Sequence, residues 1–137
     1  MAIYCLPVTP AQEALTNHPL LQYVSASRKE KVCAYHFPKD QKLSLYAALL
    51  ARYGISQQFQ IPVKELTFTC ETFHKPLCNA ISSCDFSLSH TDGMILLGIA
   101  ETGTIGVDVE CKKNAPYEIM SSVFHKEEIS YITSATP

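Results

Sequence analysis

The run MILLGIA at positions 94–100 has no polar side chain on either face that a strand would present. Such a strand needs cover on both sides, so it is expected at the centre of a sheet. The chain supplies neighbours for it. FSLSH at 86–90 joins it through Thr91-Asp92-Gly93, a natural tight turn. Glu101-Thr102-Gly103-Thr104 then leads into IGVDVE at 105–110, read as a further strand. AIYCLPV near the start is a short β-type run stopped by Pro7 and Pro10, and ELTFTCE after Pro62 is strand-like.

The clearest helix is PKDQKLSLYAALLARYG, where Leu43, Tyr46, Ala47, Leu50 and Tyr53 recur at helical spacing and Gly54 is placed as a stop. Upstream, Pro19 suits the first turn of a helix, and Ser27 with Glu30 offers a capping-box start. Downstream, Pro116 opens a helical segment that continues into VFHKEEISYI. The fold class is therefore α/β of the α+β kind, an antiparallel sheet packed against a long helix. At 137 residues and 47% hydrophobic, the chain is long and apolar enough for one real core.

Charge narrows the functions. Charged residues make up 18% and the net charge is −2, so neither a nucleic-acid backbone nor an anionic membrane is an expected partner. Phosphate recognition by a few placed lysines needs only local charge and stays open. The opening MAIYCLPVTP has no basic flank or long apolar core, so no secretory leader is expected. MILLGIA is far too short to span a bilayer. Six cysteines lie scattered in segments such as AIYCL and LTFTC without a C-x-x-C pair, which suits buried reduced thiols in a cytoplasmic protein.

Two features sit oddly in this apolar setting. In IGVDVE the side chains alternate, which puts Val107 and Val109 on one face and Asp108 and Glu110 on the other. Carboxylates two apart on a strand have Cα atoms roughly 6.5–7 Å apart, and both can reach one hard cation such as Mg²⁺. A solvent-facing polar edge is the plainer alternative. Ser89 and His90 are adjacent, so they point to opposite faces and do not suit a nucleophile–base pair. His90 can donate to a ligand oxygen or bond a nearby loop carbonyl. Lys75 precedes Pro76 on stiff backbone, which holds its ammonium outward, and taken alone it reads as a surface lysine.

Order and spacing add more. Lys75-Pro76, then FSLSH, then IGVDVE resembles the surfactin-synthetase-type 4′-phosphopantetheinyl transferases, with their G-K-P-like, F-N-x-S-H and G-V-D-x-E elements. VFHKEEISYI is similar to that family's F-F-x-x-x-E stretch, and DQKLSLYAALL to its D-x-x-R-x-L helix. The resemblance implies transfer of the phosphopantetheine arm of coenzyme A to a serine of an acyl or peptidyl carrier protein. It implies Mg²⁺ on Asp108 and Glu110, phosphate contacts by His90, and help from Ser89 and Lys75 in holding the nucleotide. It also implies two similar halves related by a pseudo-twofold, with 1–103 as the first and 104–137 as the start of the second.

The chain departs from that pattern in places. Ser87 stands where the family has Asn, and His74 where it has Gly. Leu43 takes the arginine position of the helix motif, leaving Lys42 beside it as the phosphate-contact candidate. The family's W-x-x-K-E-x-x-x-K element has no counterpart, since Lys126-Glu127 follows Phe124 one place off and no lysine comes after. Glu128 is then the candidate general base. An incomplete second half is expected to leave apolar surface exposed, and so a homo-oligomer or a truncated chain. A non-catalytic module that binds coenzyme A or a carrier protein is the competing reading. Hydrolase chemistry at Ser89 is a third, disfavoured by the strand geometry.

Overall fold

The computed structural model describes residues 1–70, 75–112 and 117–134. Met94–Ala100 (β5) is the central strand of an antiparallel sheet, with Ala2–Pro7 (β1) on one side and Asp85–Thr91 (β4) on the other. Leu97 lies between Tyr4 and Leu88, and Gly98 between Ile3 and Ser87. Cross-strand partners share a face, so Ile95, Leu97 and Ile99 mark one face of the sheet, and Leu96 and Gly98 the other. The first face carries the core. Ile95, Leu97 and Ile99 are wholly buried there, with Phe86 almost so.

The cover on that face is one long helix, Pro38–Phe59 (α2), which packs across all three strands. Its Ala51 and Ile55 join Leu66, Phe86, Leu97 and Ile99 in the main apolar cluster. On its far side Leu45 meets Leu15, Leu21 and Val32, the last from a shorter helix at Ala26–Ala34 (α1). Phe68–Thr69 (β2) and Leu77–Cys78 (β3) form a separate small ribbon. Met120–Val123 (α3) and Lys126–Ser134 (α4) follow the sheet. Among the described residues no helix is long and apolar enough to cross a membrane.

Several local expectations are corrected. Gly54 does not stop the helix, which runs on to Phe59 and ends at Gln60 in the left-handed conformation (φ 56°). A Cβ on Gly54 would come 2.7 Å from Leu97 Cδ2 and 3.0 Å from Ile99 Cδ1, so this glycine lets helix and sheet approach closely. Ser25, not Ser27, caps α1, its hydroxyl accepting from the Arg28 N–H at 3.3 Å. Pro19 opens only a 3₁₀ turn, Pro19–Tyr23. ELTFTCE contributes two strand residues, and IGVDVE none to the backbone ladder, β1 taking the third place in the sheet. Only Cys78 and Cys84 are buried, while Cys5, Cys70 and Cys111 are exposed. The expected start at Pro116 and the substitution at His74 lie outside the described residues.

Gly54→Val should therefore lower stability by about 1–3 kcal/mol through overpacking, although valine is the better helix former. Urea denaturation of the two proteins measures this. An unchanged midpoint would mean that α2 can lift from β5 freely.

Candidate functional site

The second face of the sheet is covered differently. Residues 105–110 lie extended over it, alongside β4 and parallel to it, yet they make no backbone ladder. Three β4 side chains take their N–H groups instead. Ile105 donates to Asp85 Oδ2 (2.6 Å), Val107 to Ser87 Oγ (3.2 Å) and Val109 to Ser89 Oγ (3.1 Å). Asp85, Ser87 and Ser89 alternate along β4, so all three point to this face while Phe86 and Leu88 point to the core. Gly98 makes room beneath, since a Cβ there would come 2.6 Å from Val107 Cγ1 and 2.8 Å from Ile105 Cδ1.

The segment's own alternation follows. Ile105, Val107 and Val109 are half-buried against the sheet, while Gly106, Asp108 and Glu110 are exposed. The two carboxylates thus share the outward side, as their spacing suggests. Ser89 Oγ donates to Asp108 Oδ1 at 2.7 Å while accepting from Val109, so one oxygen of Asp108 is oriented by the strand below. Lys75 closes the near end of the segment. Its ammonium donates to Asp85 Oδ2 (2.6 Å) and to the Ile105 carbonyl (2.7 Å). That leaves one of its three N–H donors for another acceptor.

The remaining sequence candidates sit apart from this arrangement. His90 is exposed beside the turn, on the opposite side of β4 from Ser89. Lys42 donates to the carbonyl and hydroxyl of Thr9 (2.7 and 3.1 Å) and lies 5.4 Å from the Tyr46 ring centre, which ties the N-terminal loop to α2. Glu128 accepts the His125 N–H at 2.7 Å, capping α4. Among the described residues no three His, Cys, Asp or Glu side chains gather as a metal cluster, so Glu128 does not join Asp108 and Glu110 in one.

Sequence reasoning missed a cavity of about 580 Å³ between α1, α2 and the core side of β4. Arg28, Lys31 and Arg52 supply its positive charge, and Phe68, Phe86 and Leu88 its apolar wall. Arg28 and Lys31 are three apart on α1 and share a face, which was the available signal. Arg52 is half fixed, donating to the Leu66 carbonyl at 3.1 Å and standing over the Phe68 ring. Ser44, one helical turn before the cavity-lining Ala48, has a buried hydroxyl with no hydrogen-bond partner among the described residues. Pro76, next in sequence to Lys75, lines the cavity, while Asp108 and Glu110 lie over the opposite face of the sheet.

An α+β fold with outward carboxylates over one face of an edge strand and a basic, part-apolar cavity on the other offers groups suited to a cation and to a phosphate. Comparison with known proteins gives the family. The family model described as "4′-phosphopantetheinyl transferase, N-terminal" matches residues 9–102, and the chain belongs to that family. It is 30% identical over 115 residues to 4′-phosphopantetheinyl transferase ffp of Bacillus subtilis, covering 84% of this chain and 51% of that one. It is 25% identical over 130 residues to 4′-phosphopantetheinyl transferase Sfp of Bacillus subtilis strain 168, covering 95% and 58%. A further 4′-phosphopantetheinyl transferase of Bacillus subtilis aligns at 23% over 137 residues, covering 100% and 61%. The chain spans about half the length of the curated relatives it matches.

The Asp85 carboxyl has a direct physical test. Burial alone would raise its pKa, but hydrogen bonds from Lys75 and the Ile105 N–H, with the Lys75 charge, outweigh burial and hold it below the usual carboxylate range. A depressed folded pKa gives stability that is present above the unfolded value and lost as pH falls through the folded one. Asp85→Asn should be less stable than the parent at pH 7, and the gap should close as pH falls below about 4. Denaturation midpoints across that range decide it, and a constant gap would mean that the charge of Asp85 contributes nothing.

Proposed function

We propose that this chain carries the coenzyme A and metal site of a Mg²⁺-dependent 4′-phosphopantetheinyl transferase. The substrates would be coenzyme A and a serine of an acyl or peptidyl carrier protein. The observation that carries the reading is the outward Asp108–Glu110 pair, held over the second face of the sheet by Ser89 and the Lys75–Asp85 pair, with a basic cavity on the core face of the same strand. Family membership supports the reaction class.

The residues fit a hard cation. Asp108 and Glu110 are exposed on one side of an extended segment and offer oxygen donors only, leaving further positions for water and phosphate oxygens. When bound, Mg²⁺ would offset charge that builds on the leaving phosphate. In the reaction the carrier serine oxygen bonds the phosphorus that bears the pantetheine arm, and the diphosphate bond breaks. Adenosine 3′,5′-bisphosphate leaves and the serine proton passes to a base. Arg28 and Lys31 suit the nucleotide's phosphate. Lys75, with its remaining donor, suits the diphosphate, and Ser89 fixes Asp108. His90 is retained as a phosphate contact at β4's end. Lys42 and Glu128 have other occupations here, so neither is assigned a step.

We retain 1–103 as the first half of the fold and 104–137 as the beginning of the second, in the cytoplasm. Self-association of two copies belongs to the same reading, with Ile3 on the second face of the sheet 51% exposed. Sedimentation equilibrium should give a mass above that of one chain, and a clean monomer would remove this part.

The reaction is tested by intact mass. An apo-carrier protein incubated with this chain, coenzyme A and Mg²⁺ should gain one phosphopantetheine, and Asp108→Ala should lose at least 100-fold in rate, the scale of losing a metal ligand's electrostatic contribution. Coenzyme A binding without any mass gain would point to the non-catalytic binding module.

A further inference from the structure

The carboxylate segment owes its placement to side chains. In an ordinary sheet, backbone pairing fixes register and the side chains are passengers. Here the N–H groups of Ile105, Val107 and Val109 all end on acceptors supplied by Asp85, Ser87 and Ser89. The offset is twenty residues at each rung, so the three contacts specify a single register together. Asp85 also gathers Lys75, which returns a bond to the Ile105 carbonyl and fixes both the N–H and the C=O of that residue. Gly98 leaves room beneath Ile105 and Val107, where a side chain would press the segment off the sheet.

We propose that Asp85 and Ser87 are positioning residues for the Asp108–Glu110 pair, holding both carboxylates in the register that lets them share one cation. The inference rests on the metal reading given above and extends it to two residues that touch neither cation nor substrate. Ser89 completes the ladder but meets Asp108 directly, so Asp85 and Ser87 are the informative positions. Partners that orient metal ligands are worth about 10–100-fold in metal affinity when removed.

The test uses Mn²⁺ alone as the probe, titrated into the ¹⁵N-labelled chain and followed by paramagnetic broadening of the Asp108 and Glu110 amide signals. Ser87→Ala and Asp85→Ala should each weaken Mn²⁺ by about tenfold. Ser87→Thr, which keeps the hydroxyl, should stay within about twofold of the parent. Amide exchange at Val107 should quicken in Ser87→Ala while the β5 amides stay protected, which separates a displaced segment from an unfolded chain. Asp85→Asn, which keeps an oxygen for the Ile105 N–H, serves if Asp85→Ala does not fold, and it should fall between parent and alanine. If Asp108→Ala abolishes broadening while Ser87→Ala and the Asp85 substitutions bind Mn²⁺ as the parent does, the positioning role is wrong and the metal reading stands. If the parent shows no broadening that depends on Asp108, the metal reading fails and the proposal with it.

Discussion

Everything in this structure answers to a strand that must be covered twice. β5 is apolar on both faces and has a neighbour on each edge, so its stability depends on what lies above and below. One layer is α2, which brings Ala51 and Ile55 onto Ile99 and Leu97. The other is not a helix or a strand but a six-residue extended segment, and it bears the two carboxylates. Covering the core and presenting the two carboxylates are the same act of folding.

Two glycines make the double cover possible, one in each layer of contact. Gly54 lies in the helix and admits Leu97, Ile99 and Tyr4 from below. Gly98 lies in the strand and admits Ile105 and Val107 from above. The helix side is held by apolar area, which is non-directional and tolerates small shifts. The segment side is held by directed hydrogen bonds and an ion pair, which fix position more sharply than they add free energy. That division suits a core on one face and a site on the other.

Much of this was legible in the residues. MILLGIA announced a central strand, Asp92-Gly93 announced its turn, with Gly93 at φ 87°, and the alternation of IGVDVE set which side its carboxylates face. The family was legible too, and the family match over residues 9–102 agrees with it. What failed were signals with two meanings. A glycine at the end of a periodic run reads as a stop, but Ile55 continues the buried stripe beyond Gly54. Ser25 and Ser27 both stand at the start of α1, and only geometry chooses between them. IGVDVE was expected to pair through its backbone because alternation says nothing about what receives an N–H. The clue lay in DFSLS, whose alternate Asp, Ser and Ser form a row of short acceptors. Arg28 and Lys31 were hidden inside RKEK, which looks like an ordinary solvated charge run.

The turn at Glu101–Thr104 takes on a meaning from this arrangement that its exposed, polar residues do not suggest. It is the spacer between β5 and the first rung of the ladder, and strand faces repeat every second residue. A change of its length by one would reverse which side chains meet the sheet, setting Asp108 and Glu110 against Leu96 and Gly98 and turning the valines to water. A change by two would preserve the sides and ask only that the turn bulge outward. Surface loops ordinarily drift freely in length. In this one, variation among relatives should come in even steps, so that the parity of a loop records which way two carboxylates several residues away must face.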